Sequence, residues 1–155
     1  MGLDMHLHGK RYISETFSPG DNERAKIIAD LFPELKDIPG YFKPTPIKEV
    51  TAEVGYWRKA NAIHQWFVKN VQSGEDDCNP YFVDRSSLET LRELCQRVLA
   101  NRTLAAELLP PQEGFFFGSQ EIDDYYFQDL ENTVSIIDQA LSLPESWDFE
   151  YRSSW

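Results

Sequence analysis

Hydrophobic and polar residues alternate at both ends of the chain. Within residues 2–13, aliphatic side chains occupy every second position at Leu3, Met5 and Leu7. Within residues 147–155, aromatic side chains do the same at Trp147, Phe149 and Tyr151. A period of two is typical of a strand with one buried face. Residues 47–54 repeat this alternation. The pattern therefore predicts an N-terminal strand, a C-terminal strand and one strand before the middle of the chain.

Between these segments the hydrophobic residues recur at helical spacings of three and four. Gly55 follows the second strand pattern and predicts a sharp change into a helix over about 56–72. The run Ser86-Ser87-Leu88-Glu89 is a capping box and predicts that another helix starts with Ser86 as its N-cap. Further helical segments are predicted over about 22–31, 103–109 and 120–143.

Together these elements predict an α+β fold in a single globular domain spanning residues 1–155. The expected sheet is small and largely antiparallel, and consists of the N-terminal, pre-helix and C-terminal strands. About three main helices are expected to pack against it. We also expect the two terminal strands to be neighbours in the sheet.

Composition and charge limit the classes of function. The chain is 41% hydrophobic and 14% aromatic, which is enough apolar material for a buried core, and its formal net charge is −11. A net negative chain repels nucleic-acid phosphates, so direct DNA or RNA binding is disfavoured. No Lys or Arg occurs between Arg102 and Arg152, where acidic residues are frequent. This acidic third is either a solvated helix face or a surface for a basic protein.

Sequence signals for export, membrane insertion and bound cofactors are weak. No window approaches the ~18 apolar residues of a membrane span, and the start of the chain lacks a basic leader followed by an apolar segment. Cys78 and Cys95 form no paired motif, which is typical of a reduced compartment. We therefore expect a cytoplasmic protein without a membrane partner and without a cofactor. The oligomeric state is left open.

The densest group of aromatic, amide and basic residues lies in the predicted central helix. At ~100° per residue, Trp57, Asn61 and His64 would share one helix face, with Arg58 beside them. An indole that stacks, an amide that pairs with a base edge and an imidazole suit a ring-bearing polar ligand, and a guanidinium can reach a phosphate. The alternative is that Trp57 and His64 are core residues and Asn61 satisfies backbone groups.

A second candidate is the glycine-bracketed aromatic run GFFFGS, which contains Phe116 and ends at Ser119. Its flanking glycines allow the backbone to bend around the aromatic residues, and Ser119 would lie just ahead of a helix whose free amides can bind an anion. This predicts an aromatic lid for a phosphate-bearing ligand. A buried strand or core plug explains the same residues.

Asp4, His6 and His8 form a third candidate. A spacing of two places all three on one face of the N-terminal strand, and Asp-His-His is a competent set of metal ligands. An exposed polar sheet face accounts equally for the pattern.

Three stretches and the C-terminal tail carry a resemblance to a known protein family. They are MGLDMHLHGKRYIS, EVGYWRKANAIHQWFVKNVQ and LLPPQEGFFFGSQEIDDYYFQDL, with the tail WDFEYRSSW. Jointly they resemble a family of small, mostly uncharacterised proteins encoded by bacteriophages and prophages. The resemblance covers most of the chain apart from the proline-rich segment at 33–46. It implies action in the host bacterial cytoplasm, and counter-defence against host immunity is one activity in that setting. No catalytic residues follow from it.

The sequence thus favours a phage-type accessory protein that binds and sequesters a nucleotide-like small molecule without catalysing a reaction. The alternative is an acidic inhibitor that mimics nucleic acid and binds a basic host defence protein. A weaker alternative is a metal-dependent hydrolase built on the Asp4, His6 and His8 set.

Overall fold

The computed structural model of the protein describes residues 2–35, 37–38, 45–114 and 117–155. Its strands are β1 (Asp4–Tyr12), β2 (Glu49–Arg58), β3 (Tyr81–Val83) and β4 (Asp148–Ser154). Its α-helices are α1 (Asp21–Asp30), α2 (Asn61–Asn70), α3 (Arg85–Ala100), α4 (Ala105–Leu108) and α5 (Asp124–Leu141), and short 3-10 helices span Pro33–Leu35 and Arg102–Leu104. The described part of the chain therefore has the predicted α+β fold.

The four described strands form one antiparallel sheet in the order β2-β1-β4-β3. The terminal strands β1 and β4 are neighbours, which confirms the expectation from the sequence. Strand β3 lies at one edge, where Phe82 pairs with Glu150 of β4. Strand β2 lies at the other edge beside β1, so the polar side chains of β1 and β2 can meet on one face of the sheet.

Strand β2 changes its alternation at Gly55. Glu53 is exposed before the glycine, whereas Tyr56 is exposed and Trp57 buried after it. A shift of one residue in the inside–outside pattern is typical of a β-bulge. A Cβ atom at Gly55 would lie only 2.3 Å from Cγ2 of Ile136 on α5. Glycine is therefore required here because the helix packs against the strand backbone.

The predicted helix start at Tyr56 is wrong. Strand β2 continues to Arg58, and α2 begins only at Asn61. Aromatic side chains such as Tyr56 and Trp57 fit a pleated, half-buried surface, and the bulge allows the strand to continue past Gly55. The helical face proposed to join Trp57 to Asn61 therefore does not exist, because Trp57 lies on the strand.

The described core is continuous from the sheet to the helices. Helices α3 and α5 pack against each other, and each buries one apolar stripe. Burial of each large aliphatic side chain contributes about 1.5–3 kcal/mol to folding. The fully buried aliphatic residues of the core include Leu3, Met5, Leu7, Ile63, Leu88, Leu91, Leu130 and Ile137.

The start of α3 differs from the capping-box prediction. The N-cap is Asp84, whose carboxylate accepts a hydrogen bond from the Ser87 N–H at 2.6 Å. The Ser86 hydroxyl instead donates to Asp84 at 2.8 Å. Asp and Ser have similar N-cap preferences. Because strand β3 ends at Val83, Asp84 is the first of these capping residues that the chain reaches before α3.

The backbone separates into two compact units, one comprising Met1–Gly9 with Glu53–Trp155 and the other Lys10–Ala52. In the second unit the carboxylate of Asp21 is fully buried and accepts hydrogen bonds from Arg11, Arg24 and the Ser14 N–H. Burial alone would raise the pKa of Asp21, but these hydrogen bonds and the Arg11 charge outweigh it and lower the pKa to about 2. Whether the chain folds as one domain stays a prediction.

Candidate functional site

A cleft of about 310 Å³ lies where the end of β2, the start of α2 and the first turns of α5 come together. This volume is at the lower end of the range for small-molecule sites. Basic residues reach the cleft from β2 and the turn after it, namely Arg58 and Lys59, whereas Asp123 and Asp129 reach it from the α5 segment. The cleft therefore presents both signs of charge.

Lys59 joins β2 to α2 in a left-handed conformation, with φ of 59°. Positive φ is uncommon outside glycine, and here two backbone hydrogen bonds hold it. The Lys59 N–H donates to the Leu3 carbonyl at 2.8 Å, and the Lys59 carbonyl accepts from the Asn61 N–H at 2.8 Å. Gly118, with φ of 90°, packs directly on Lys59. The Lys59 ammonium has no ion-pair partner among the described residues and remains available to a ligand.

Asp129 is the most perturbed acid of the cleft. Burial raises its pKa from 3.8 to about 6, and the nearby charge of Asp123 acts in the same direction. Among the described residues the Asp129 carboxylate has no hydrogen-bond donor and no basic partner, whereas its backbone carbonyl accepts a hydrogen bond from the Thr133 hydroxyl. Asp123 differs, because its carboxylate caps α5 by accepting the Tyr126 N–H at 3.0 Å. Asp129 is thus a half-buried acceptor without a donor.

Tyr125, Ser119 and the acidic residue Glu121 also line the polar rim of the cleft. The Tyr125 side chain is 77% exposed, so its ring face is free to stack on a planar ligand. The Ser119 hydroxyl accepts the Glu121 N–H at 3.0 Å. Ser119 is not at a helix N-terminus as predicted, because α5 begins at Asp124 with Asp123 as its cap.

Asn61 is buried and lies in the wall of the cleft, but its amide is occupied by backbone groups. Its Nδ2 donates to the carbonyls of Phe117 at 3.1 Å and Ser119 at 2.7 Å. Its Oδ1 accepts the Gln112 N–H at 3.2 Å. Asn61 therefore joins the two described segments on either side of the aromatic run, and it positions the cleft wall rather than offering an amide to a ligand.

Trp57 and His64 lie in the core and do not line the cleft. Trp57 is 2% exposed, and its indole N–H donates to the Thr133 hydroxyl at 2.9 Å. His64 is fully buried between Asp76 and Tyr151. Of the helix residues predicted to share a ligand-binding edge, only Asn61 borders the cleft, together with Arg58 from the strand.

The contacts of His64 define its proton arrangement. Its Nε2 lies 3.0 Å from the Asp76 carboxylate, which only accepts, so Nε2 carries the proton. Its Nδ1 then accepts the Tyr151 O–H at 2.7 Å. Burial lowers the pKa of His64, although Asp76 acts in the opposite direction. The imidazole is a neutral link between α2 and strand β4.

The fold places the two histidines of strand β1 beside Glu53 and not, as predicted, in a set of ligands with Asp4. The potential metal ligands are His6, His8 and Glu53, with donor atoms within 4.8 Å of one another. Asp4 instead accepts a hydrogen bond from the Tyr56 hydroxyl and lies 3.8 Å from Arg58. Phe116, the predicted lid residue, lies outside the described residues.

The sequence interpretation missed Asp129, which is the chemically most distinctive residue of the cleft. The helical spacing of Asp129 from its neighbours in the sequence could have indicated that it is partly buried. Asp129 lies three residues after Tyr126 and four before Thr133, and both of those residues are buried. An acid at that spacing on the inner stripe of a helix is expected to be partly buried.

Comparisons with protein-family models, with curated proteins and with solved structures found no match to this chain. Among the helices of the described residues, none combines the length and the apolar character needed to cross a membrane.

Proposed function

We propose that the protein binds a small nucleotide-like ligand in the cleft between β2, α2 and α5, and that it sequesters this ligand without reacting with it. The observation that carries the proposal is the Asp129 carboxylate. It is half-buried, has a raised pKa and lacks a donor among the described residues. Burial disfavours the ionised carboxylate, so a ligand N–H donor would stabilise its charged form.

The charges of the cleft fit the two ends of a nucleotide. Lys59 supplies a cation for a phosphate, and Arg58, which also lies 3.8 Å from Asp4, adds a second with paired N–H donors. A nucleobase edge with N–H donors, such as that of guanine, matches the two oxygens of Asp129. The exposed ring of Tyr125 at the rim offers a stacking surface for the base. This division gives Asp129 a role in a cleft for an anionic ligand.

The same arrangement weighs against the nucleic-acid-mimic alternative. That hypothesis needs the acids of the last third to form an exposed surface. Asp129 is partly buried, and Asp123 is used as a helix cap. The exposed acids in this part of the chain are Glu121, Asp124 and Glu131, and Asp124 lies 3.7 Å from Arg102, so the mimic alternative would rest on these three residues.

The test is thermal shift followed by calorimetry against mononucleotides and cyclic dinucleotides of different bases. A ligand that binds only the folded state raises the melting temperature, and about 100-fold excess over Kd contributes about 2.7 kcal/mol. The variants are Asp129→Asn and Lys59→Gln. Each should weaken binding at least tenfold, because each removes a charge-assisted hydrogen bond worth about 1.5–3 kcal/mol.

The matched control is Asp124→Asn, which makes the same chemical change on an exposed position of the same helix. Its affinity should equal that of the wild type within about twofold. The proposal fails if no nucleotide at about 1 mM raises the melting temperature. It also fails if Asp129→Asn and Asp124→Asn bind a nucleotide equally well.

The resemblance to small phage-encoded proteins suggests the bacterial cytoplasm as the place where such ligand binding would act. A protein that removes a nucleotide signal from the bacterial cytoplasm would act as a counter-defence factor. A stoichiometric binder depletes the free ligand only up to its own concentration and returns it unchanged on denaturation. Recovery of intact nucleotide from heat-denatured complex would distinguish sequestration from hydrolysis.

A further inference from the structure

The exposed face of strands β1 and β2 carries a second group of side chains, away from the proposed nucleotide chemistry. We propose that His6, His8 and Glu53 form a binding site for a zinc-like divalent cation. The group combines two imidazoles with one carboxylate on two adjacent strands. Two histidines and a glutamate are a known ligand set for Zn²⁺ that leaves a coordination position for water.

The backbone geometry explains why these side chains converge. His6 and His8 are two residues apart on β1, so both point to the same face of the sheet. Their rings are nearly parallel, with centroids 6.0 Å apart and an angle of 13° between the planes. Glu53 reaches them from β2, and its Oε2 lies 2.8 Å from Nδ1 of His6.

The distances leave room for a cation after small side-chain movements. The three donor atoms lie within 4.8 Å of one another. Bonds of about 2.0–2.2 Å to zinc require donor atoms roughly 3.5 Å apart in a tetrahedron. The Glu53 side chain is 51% exposed and can change rotamer to separate from His6 and approach His8. The strands themselves need not move.

The bulge at Gly55 selects Glu53 rather than Asp4 as the third ligand. Because the alternation shifts at Gly55, both Glu53 and Tyr56 face the histidine side of the sheet. The Tyr56 hydroxyl donates to Asp4, and Arg58 lies 3.8 Å from the same carboxylate. Asp4 is therefore engaged, whereas Glu53 has only the His6 contact among the described residues.

Ligand chemistry also predicts which cations bind. Imidazole ligands suit Zn²⁺, Ni²⁺ and Cu²⁺, whereas Mg²⁺ prefers oxygen ligands in an octahedron. We therefore expect the site to bind Zn²⁺, Ni²⁺ and Cu²⁺ and to ignore Mg²⁺, and Co²⁺ serves as a spectroscopic substitute for Zn²⁺.

The experiment is calorimetric titration of Zn²⁺ into the full chain without a histidine tag, together with the absorption spectrum of bound Co²⁺. The variants are His8→Asn and Glu53→Gln, and the matched control is Glu49→Gln, a carboxylate on the same strand outside the group. Loss of an outer-shell partner typically lowers metal affinity 10–100-fold. Each ligand variant should lose at least that much, whereas Glu49→Gln should bind like the wild type.

Each outcome of the titration either supports or overturns the proposed metal site. One Zn²⁺ per chain that is lost in both ligand variants and retained in Glu49→Gln supports the site. Absence of wild-type binding at about 100 µM Zn²⁺ overturns it, and then the His6–Glu53 contact is only a hydrogen-bonded pair. Equal affinity of Glu53→Gln and Glu49→Gln also overturns it. The Co²⁺ spectrum of the wild type needs no variant and tests tetrahedral nitrogen–oxygen coordination if a variant fails to fold.

Discussion

Replacing Asp129 with Asn should stabilise the protein at neutral pH and leave it nearly unchanged in acid. The carboxyl of Asp129 has a pKa of about 6 in the folded state because burial disfavours its charge, compared with 3.8 when unperturbed. Between these values the folded protein binds more protons at this site than the unfolded chain does. The free energy of unfolding therefore falls as pH rises through this window.

The size of the effect follows from the two pKa values. A rise from 3.8 to about 6 corresponds to at most about 3 kcal/mol of lost stability once the carboxyl is ionised, and solvent screening of this half-buried group lowers that figure. The loss is small near pH 4 and complete above about pH 7. An Asn side chain has a similar shape and no charge at any pH. The advantage of Asp129→Asn over the wild type should therefore grow by about 1–2 kcal/mol from pH 4 to pH 8.

Urea unfolding of wild type and Asp129→Asn at both pH values measures this difference. Contributions from other titrating groups, such as His64, are common to the two proteins and cancel in the comparison. Effects of the amide that do not depend on pH also cancel. Asp124→Asn provides the control, since its side chain is 99% exposed and its neutralisation should change stability by less than about 0.5 kcal/mol at either pH.

The reasoning would be refuted if the difference between wild type and Asp129→Asn were the same at pH 4 and pH 8. The carboxylate would then be solvated or paired in the folded state. In that case it could not be the half-buried carboxyl of raised pKa on which the proposed ligand site depends.

Three further substitutions test the fold. Gly55→Ala places a Cβ 2.3 Å from a methyl group of α5 and should destabilise the protein by about 1–3 kcal/mol in urea unfolding, whereas wild-type stability would contradict the close approach. Tyr151→Phe leaves Nδ1 of His64 buried without its donor and should cost about 1–3 kcal/mol by the same measurement. Asp84→Ala removes the α3 cap and should lower the free energy of unfolding by about 1 kcal/mol, which is more than Ser86→Ala should cost. A larger loss for Ser86→Ala would instead support the predicted capping box with Ser86 as N-cap.

The strands and helices whose own residues show a clear hydrophobic periodicity were predictable from the sequence. The alternation around Met5 and Phe149 predicted the terminal strands, and the stripe through Leu130 predicted the last helix. The turn from β2 to α2 was not predictable in this way. Gly55 is compatible with a helix start, a turn or a bulge, and the approach of Ile136, far along the chain, decides between them.

The candidate site was predicted only in part and partly for the wrong reason. Arg58, Asn61 and Ser119 do border the cleft, but the predicted helical face that joins Trp57 to Asn61 and His64 is absent. Residue type alone could not reveal that the Asn61 amide is occupied by backbone carbonyls. Nor could it separate Asp129 from the other acids, because its raised pKa depends on burial by the fold.

Strand β2 supplies residues to both proposed sites, on either side of one bulge. Glu53 precedes Gly55 and faces the histidines, whereas Arg58 follows it and borders the cleft. Gly55 itself contacts the helix that carries Asp129. Glu53→Gln should therefore affect only Zn²⁺ binding and Asp129→Asn only nucleotide binding. Gly55→Ala should weaken both, because relieving its clash must move the strand, the helix or both.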